Sequence, residues 1–494
     1  MDILMESLSN TLDFNTILFI ILGVISGMAI GVLPGLTATM GVALLLPITF
    51  GMEPLPGILL LIGVYFGAVY GGTITAILIN TPGTPASAAT ALDGYPMTQK
   101  GEAQKALTIA TLSTSIGGII SVIILILLAP QLANFALQFS APETFALALF
   151  GISIISSLTG KSFAKGIVAG LVGLLIATIG LDPIGGTQRF TFGSMNLNNG
   201  VDLIPVMIGL FAAAEAFRSV ENLFSKDKVD VVIKQTKLKW SEFKSLITTI
   251  LRSAGIGTFV GMIPGAGADI TAFIAYNEAK RFSKDKSNFG KGEMKGIAAP
   301  EAANSSLTGG AMIPMLTLGI PGDAVTAVLL GALVVQGLQP GPMLFEQDGV
   351  LVYGLFIGML IANILILILG IYGSRIFTKV LLIPKAILAP IIIMLCAVGS
   401  YSLGNNYFDV IVMLLFGIIG YFMIKNGFPA SPLILGLILG PIMESNFRRS
   451  LVTSQGDFSI FITRPITAVL LILAFITLFS PLIMKFIRKK YQKL

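Results

Sequence analysis

The residues best placed to do chemistry in this chain are a helix-breaking run and a few acids set in apolar surroundings. Asn80-Thr81-Pro82-Gly83-Thr84-Pro85 stops one helix and lets a half-helix start at Ala86, because proline lacks a backbone donor and fits a first helical turn. A helix start leaves N–H groups without intrahelical partners, here beside the hydroxyls of Thr81, Thr84 and Ser87. Gly319-Ile320-Pro321-Gly322-Asp323 offers the same device later in the chain, with Asp323 placed as an N-cap. Asp269, Glu301 and Asp323 sit in otherwise apolar stretches, with Asn304, Ser305 and Ser306 close to Glu301. Acids within a membrane are costly and mark function, and oxygen-rich sets of this kind suit a hard cation such as Na⁺. Asp93 borders a polar loop and reads as a solvated cap, and Arg252 as an interfacial, snorkelling side chain. No histidine occurs, so histidine-based catalysis, metal ligation and proton relay are excluded. The single cysteine, Cys396, permits no intrachain disulfide and reads as a small hydrophobe.

These residues need helices crossing a bilayer to position them. Of 494 residues 54% are hydrophobic and only 11% charged, against about 25% charged in soluble domains. Apolar runs able to cross a hydrocarbon core of ~30 Å recur at 17–33, 116–129, 349–371 and 465–484. Spanning segments must satisfy their own backbone, and these runs lack the alternation of a barrel. The expected fold is therefore an all-α polytopic membrane protein, with roughly 11–12 transmembrane helices plus re-entrant hairpins. No basic residue precedes the first apolar run, so no cleavable signal is expected. The net charge of +6 resides in loops and the tail, which points to topology and anionic lipid rather than nucleic acid.

Charge is blocked along the chain. Residues 1–99 and 296–374 hold acids but no Lys or Arg, whereas 218–295 carries fourteen basic residues. By the positive-inside rule the N-terminus lies outside and the C-terminus inside. A hairpin at 17–50 precedes spans at 54–80, 106–129, 143–159, 166–180 and 203–217. A cytoplasmic basic loop, 221–245, leads to a second hairpin at 246–280 and spans at 300–320, 349–371, 386–402, 408–424, 428–444 and 465–484. Only Arg448, Arg449 and Arg464 fall on the wrong side. Gly31-Val-Leu-Pro34-Gly35 resembles Gly261-Met-Ile-Pro264-Gly265, and Gly71-Gly72 before Pro82-Gly83 resembles Gly309-Gly310 before Pro321-Gly322. Single Pro-Gly pairs are ordinary kinks, but four in matched order predict two inverted repeats, 1–220 and 246–445, followed by a span and basic tail at 446–494. Such repeats place a substrate site at their interface near the midplane.

Residues 31–52 (GVLPGLTATMGVALLLPITFGM), 67–105 with NTPGTPASAATALDGYP, 255–279, 295–345 with PEAANSSLTGGAMIPMLTLGIPGD, and 428–441 resemble the large permease subunit of the tripartite tricarboxylate transporters, the TctA family. The resemblance implies a non-enzymatic, cytoplasmic-membrane permease that imports citrate-like or other organic carboxylates by coupling to Na⁺ or H⁺. It further implies a small membrane subunit and an extracytoplasmic solute-binding protein as partners. On that reading Asn80, Thr81, Gly83, Thr84, Ser87, Gly319, Pro321 and Gly322 bind the carboxylate, and Asp269, Glu301, Asn304 and Asp323 hold the coupling cation. No other cofactor is expected. The rivals are a stand-alone carrier, a passive anion channel, a structural scaffold and an intramembrane aspartyl protease. The last is weakened by Gly265-Ala-Gly-Ala-Asp269, one residue too long for a Gly-x-Gly-Asp signature.

Overall fold

The computed structural model describes residues 2–33, 36–158, 163–182, 185–221, 236, 238–263, 267–380 and 385–491. The expected breaks Pro34, Gly35, Pro264 and Gly265, most of loop 221–245 and the side chain of Asp269 lie outside the described residues. In chain order the helices are α1 (Asp2–Thr11), α2 (Phe14–Val32), α3 (Ala38–Leu45), α4 (Pro54–Ile79), α5 (Ser87–Gln99), α6 (Ala103–Ala136), α7 (Ala141–Leu158), α8 (Phe163–Ala177), α9 (Leu203–Met207) and α10 (Ala214–Glu221). A π turn over Ile208–Ala213 joins the last two. There follow α11 (Trp240–Gly261), α12 (Ala268–Phe282), α13 (Met294–Leu318), α14 (Ala324–Val335), α15 (Pro342–Gln347), α16 (Gly349–Val380), α17 (Lys385–Gly404), α18 (Tyr407–Lys425), α19 (Ser431–Thr453), α20 (Ile460–Thr463) and α21 (Pro465–Tyr491). β1 (Gly180–Leu181) and β2 (Gln188–Arg189) form one short antiparallel pair. Each expected span overlaps a helix, with α6 and α16 running on to 34 and 32 residues. Five described helices are long and apolar enough to cross a membrane, and six shorter apolar ones accompany them. The protein is an all-α polytopic membrane protein.

The chain forms two compact units, Met1–Ala133 with Glu215–Leu403, and Asn134–Ala214 with Gly404–Leu494. In the first, α4 is buried from Pro56 to Leu78 and α13 from Gly296 to Thr317. Helices apolar on every side are interior helices. α2 packs on α4 through Gly23, Gly27 and Gly31, where a Cβ would collide with the carbonyl oxygens of Leu60, Val64 and Ala68. α11 packs on α13 in the same way, Gly257 against the Ala303 carbonyl and Gly261 against that of Leu307. Small residues four apart let helix backbones touch where lipid supplies no hydrophobic drive.

Asp93 departs from the sequence expectation, being fully buried rather than solvated. Its Oδ1 accepts the N–H groups of Gly290, Gly292 and Glu293, each at 2.8 Å, and its Oδ2 accepts the Tyr276 hydroxyl at 2.9 Å. Four donors replace the lost water, so the carboxylate can be buried. It thereby anchors α5 to the loop that starts α13. Arg252 stacks its guanidinium 4.0 Å from the Phe282 ring. Trp240 opens α11 with 74% of its surface exposed, as an interfacial residue should be. Nearby, Lys105 lies 2.7 Å from Glu242 and holds that carboxyl below the usual carboxylate range. Cys396 is buried and free.

In the second unit α19 packs on α7 and α8, and α18 on the π turn. Two of the three arginines that broke the charge pattern are ion-paired. Arg448 meets Asp182 at 2.8 Å and Glu444 at 2.9 Å, and Arg464 meets Glu143 at 3.2 Å. Arg189 adds a bond of 2.7 Å to Glu444, fixing the β1–β2 loop to α19. Arg449 is exposed.

Candidate functional site

The first helix break is built by backbone geometry. α4 ends at Asn80, whose left-handed φ of 54° reverses the chain, and the N–H of Thr81 returns 3.4 Å to the Thr75 carbonyl. Gly83 donates to the Gly72 carbonyl at 3.2 Å. A side chain at Gly83 would strike the Gly31 carbonyl and lie 2.6 Å from the Gly72 Cα, so only glycine fits. The Ser87 hydroxyl accepts from the Thr84 N–H at 3.3 Å and donates to the Thr84 carbonyl at 2.8 Å. The N–H groups of Ser87, Ala88 and Ala89 close tight turns of 3.1–3.3 Å onto Thr84, Pro85 and Ala86. The sequence expectation of open first-turn donors is thus narrowed. The Thr84 hydroxyl, on a residue only 8% exposed, has no partner among the described residues. Asn80 and Thr81 are exposed at the rim.

The second break repeats this frame 239 positions later, from 80 to 319, 83 to 322 and 87 to 326. Gly319 is left-handed with φ of 68°, and the N–H of Ile320 returns 3.2 Å to the Pro314 carbonyl. Gly322 sits where a Cβ would lie 2.6 Å from the Ala311 Cα and 2.9 Å from the Gly261 carbonyl oxygen. Thr326 takes the part of Ser87, accepting the Asp323 N–H at 2.8 Å and lying 3.0 Å from its carbonyl. This register equates Gly71 with Gly310, whose Cβ positions collide with the carbonyls of Met28 and Thr258, and so moves the Gly-Gly pairing read from sequence by one residue. Pro321 and Gly322 are buried.

One position differs chemically. Asp323 replaces Thr84, and both of its carboxyl oxygens are hydrogen-bonded. Oδ1 accepts from the Thr326 N–H at 2.7 Å and lies 2.7 Å from the Thr326 hydroxyl, while Oδ2 accepts from Tyr65 at 2.5 Å. Asp323 is therefore the N-cap that the sequence offered, and Tyr65 of α4 reaches it across the two sequence halves.

Glu301 makes the reverse crossing. It lies on α13, 1% exposed, and is surrounded by hydroxyls from the first half. Thr73 of α4 lies 2.8 and 2.9 Å from its two oxygens, Thr90 of α5 2.5 Å from Oε1, and Thr114 of α6 2.9 Å from Oε2. Thr90 is three residues beyond Ser87, so the carboxylate stands against the half-helix that leaves the first break. Asn304, one turn on, is 2% exposed and its Nδ2 has no partner among the described residues. Asp269 opens α12, whose Ala268 packs on Ala86 and Ala89 at the start of α5. Glu301 is thus brought to the first break through Thr90 and Asp323 to α4 through Tyr65, while Asp269 lies on α12. Sequence reading missed Tyr65, Thr73, Thr90 and Thr114. Thr73 alone carried a local signal, a hydroxyl directly after Gly71-Gly72 in an apolar helix.

The model of the tripartite tricarboxylate transporter TctA family matches residues 17–435. The chain belongs to that family. Its relatives include an uncharacterized 52.8 kDa protein of the TAR-I ttuC′ 3′ region of Agrobacterium vitis, 39% identical over 478 residues, covering 95% of both chains. An uncharacterized protein of the TAR-II ttuC′ 3′ region of the same organism is 40% identical over 215 residues, covering 44% of this chain and 89% of that one. No solved structure matches. Membership in the TctA family makes the protein a subunit of a transporter, and the helix breaks fall inside the matched residues. Among the described residues of this TctA-family chain, no group of three or more His, Cys, Asp or Glu is arranged to hold a metal ion.

Proposed function

We propose that this protein is the large permease subunit of a secondary-active importer of citrate-like tricarboxylates or related organic carboxylates, driven by a co-transported cation. It works in the cytoplasmic membrane, N-terminus outside and C-terminus inside, with a small membrane subunit and an extracytoplasmic solute-binding protein. The family name supports the substrate class, and the charge blocks support the orientation. The recurrence of one hydrogen-bonded frame at a fixed offset supports two repeats, which the charge map reads as inverted.

The observation that carries the reading is the pairing of a donor without a partner among the described residues with a buried acid. Among the described residues, Thr84 presents a buried hydroxyl without a partner at the first break, and Glu301 stands behind the same half-helix with the hydroxyls of Thr73, Thr90 and Thr114 around its carboxyl. Residues 1–99 and 296–374 supply no Lys or Arg to neutralise either an anionic substrate or that acid. A trianion moving inward against the membrane potential loses about 2.3 kcal/mol per charge per 100 mV. Helix ends supply only about half a charge each. Co-bound cations make up the difference, with Glu301 and Asp323 as anchors and Na⁺ or H⁺ as the ion.

The test is uptake of radiolabelled citrate into vesicles carrying the complete system, with Na⁺ and pH gradients imposed separately. Uptake should follow one of the two gradients, and accelerated counterflow should mark a carrier rather than a pore. Glu301→Gln should abolish the gradient dependence at unchanged expression. Uptake indifferent to both gradients overturns the coupling.

A further inference from the structure

The seam where α6, α13 and α16 meet carries a polar atom at every helical turn. Thr114 of α6 donates to Glu301 at 2.9 Å. One turn on, a Cβ added to Gly118 would collide with Oδ1 of Asn363 on α16 and lie 2.9 Å from the Ser305 hydroxyl of α13. One turn further, Gly309 faces Ser121. Gly118 on α6 and Gly309 on α13 therefore make room for side-chain oxygen atoms, while the neighbouring Gly117 brings α6 against the Ala302 backbone of α13.

Asn363 is the unexplained member. It is fully buried, and its Nδ2 donates to the Met359 carbonyl at 2.9 Å, which fixes the orientation of the amide. Oδ1 is thereby turned into the notch at Gly118, where it has no hydrogen-bond partner among the described residues. Leaving a buried acceptor unsatisfied is costly, and membrane proteins keep such groups at sites that bind something. An amide oxygen fixed as an acceptor needs a donor or a cation.

We propose that Asn363 Oδ1, the Ser305 hydroxyl and the Glu301 carboxylate one turn before it on α13 form a binding site for a monovalent hard cation, Na⁺. The donor set is oxygen only, which suits a hard ion and disfavours soft metals. With Glu301 ionised the set carries one negative charge, which balances one positive charge, whereas a divalent ion would remain uncompensated in a buried site. Gly118 is required because any side chain there would occupy the position of the amide oxygen. This site deepens the cation-coupled reading above and decides between its two ions.

The experiment uses the purified full chain in nanodiscs. Thermal unfolding is followed by the reactivity of Cys396, buried in the fold, with a fluorogenic maleimide. NaCl is replaced stepwise by choline chloride at constant ionic strength. In the wild type the unfolding midpoint should rise saturably with Na⁺, because a ligand bound only by the native state stabilises it. Asn363→Ala should raise the half-maximal Na⁺ concentration at least tenfold while leaving the midpoint in choline unchanged or higher. Asn363→Asp keeps the oxygen and adds a charge, so it should lower the half-maximal concentration. If Asn363→Ala cannot be purified, Asn363→Asp decides alone, and an unchanged half-maximal concentration overturns the site. A wild type that ignores Na⁺ overturns it too, leaving proton coupling through Glu301 standing. A Na⁺ response lost in Glu301→Gln but intact in Asn363→Ala removes Asn363 and keeps the coupling reading. Uptake indifferent to both gradients, with an Asn363-dependent Na⁺ response, removes the coupling and keeps the site.

Discussion

The two helix breaks share a backbone and differ in one side chain. Both turn through a left-handed residue, Asn80 or Gly319, and both pass a glycine through the gap between two helices. Both lock the next helix start with a hydroxyl four residues after that glycine, Ser87 or Thr326. Within that frame the first break carries Thr84, whose hydroxyl has no partner among the described residues, and the second carries Asp323, an acid with both oxygens hydrogen-bonded. The frame is a geometric requirement and tolerates little change. The position it holds is chemical and free to differ, so one device can present a donor in one half and an acid in the other.

The largest effect should come from the frame. Gly83→Ala places a methyl group against the Gly31 carbonyl and 2.6 Å from the Gly72 Cα, and overpacking of this kind costs about 3 kcal/mol. Gly322→Ala should cost a comparable amount, since its nearest neighbours are the Ala311 Cα and Cβ and the Gly261 carbonyl oxygen, none of which can swing away. Thermal unfolding of both variants checks the equivalence; one glycine tolerating alanine would break it.

The middle effect belongs to the second break alone. Tyr65→Phe removes the 2.5 Å hydrogen bond to Asp323, and leaving that acceptor without its donor costs about 2 kcal/mol. Asp323→Asn in the Tyr65→Phe background should then cost little more, because the partner is already gone. A double-mutant cycle on the unfolding midpoint tests this, and full additivity would separate the two residues.

The smallest effect on the fold, and the sharpest on function, is expected at Thr84. Thr84→Val removes an unpartnered hydroxyl and should leave stability unchanged or slightly higher. If that hydroxyl meets the substrate carboxylate, apparent affinity falls roughly ten- to hundredfold, the equivalent of about 1–3 kcal/mol. Uptake kinetics at matched expression measure it. Wild-type affinity in Thr84→Val would leave the two breaks differing without consequence for the substrate.

Composition and local pattern alone determined the helical membrane class, the positions of the spans and the two Pro-Gly breaks at 80–85 and 319–323. Those features depend on hydropathy, on proline's missing donor and on glycine's small size, all of which are properties of single residues or near neighbours. The sequence also picked out Glu301, because an acid in an apolar run is conspicuous wherever it points. What surrounds that acid was decided by the tertiary structure. Thr73, Thr90 and Thr114 look like ordinary membrane-helix threonines, able to bond their own backbone, until packing brings α4, α5 and α6 around α13. Asp93 was misjudged for the same reason, since its burial depends on N–H groups almost two hundred positions away. Tyr65 and Asn363 gave no local signal, because a hydroxyl or amide acquires its role from the partner opposite it, and only the fold chooses that partner.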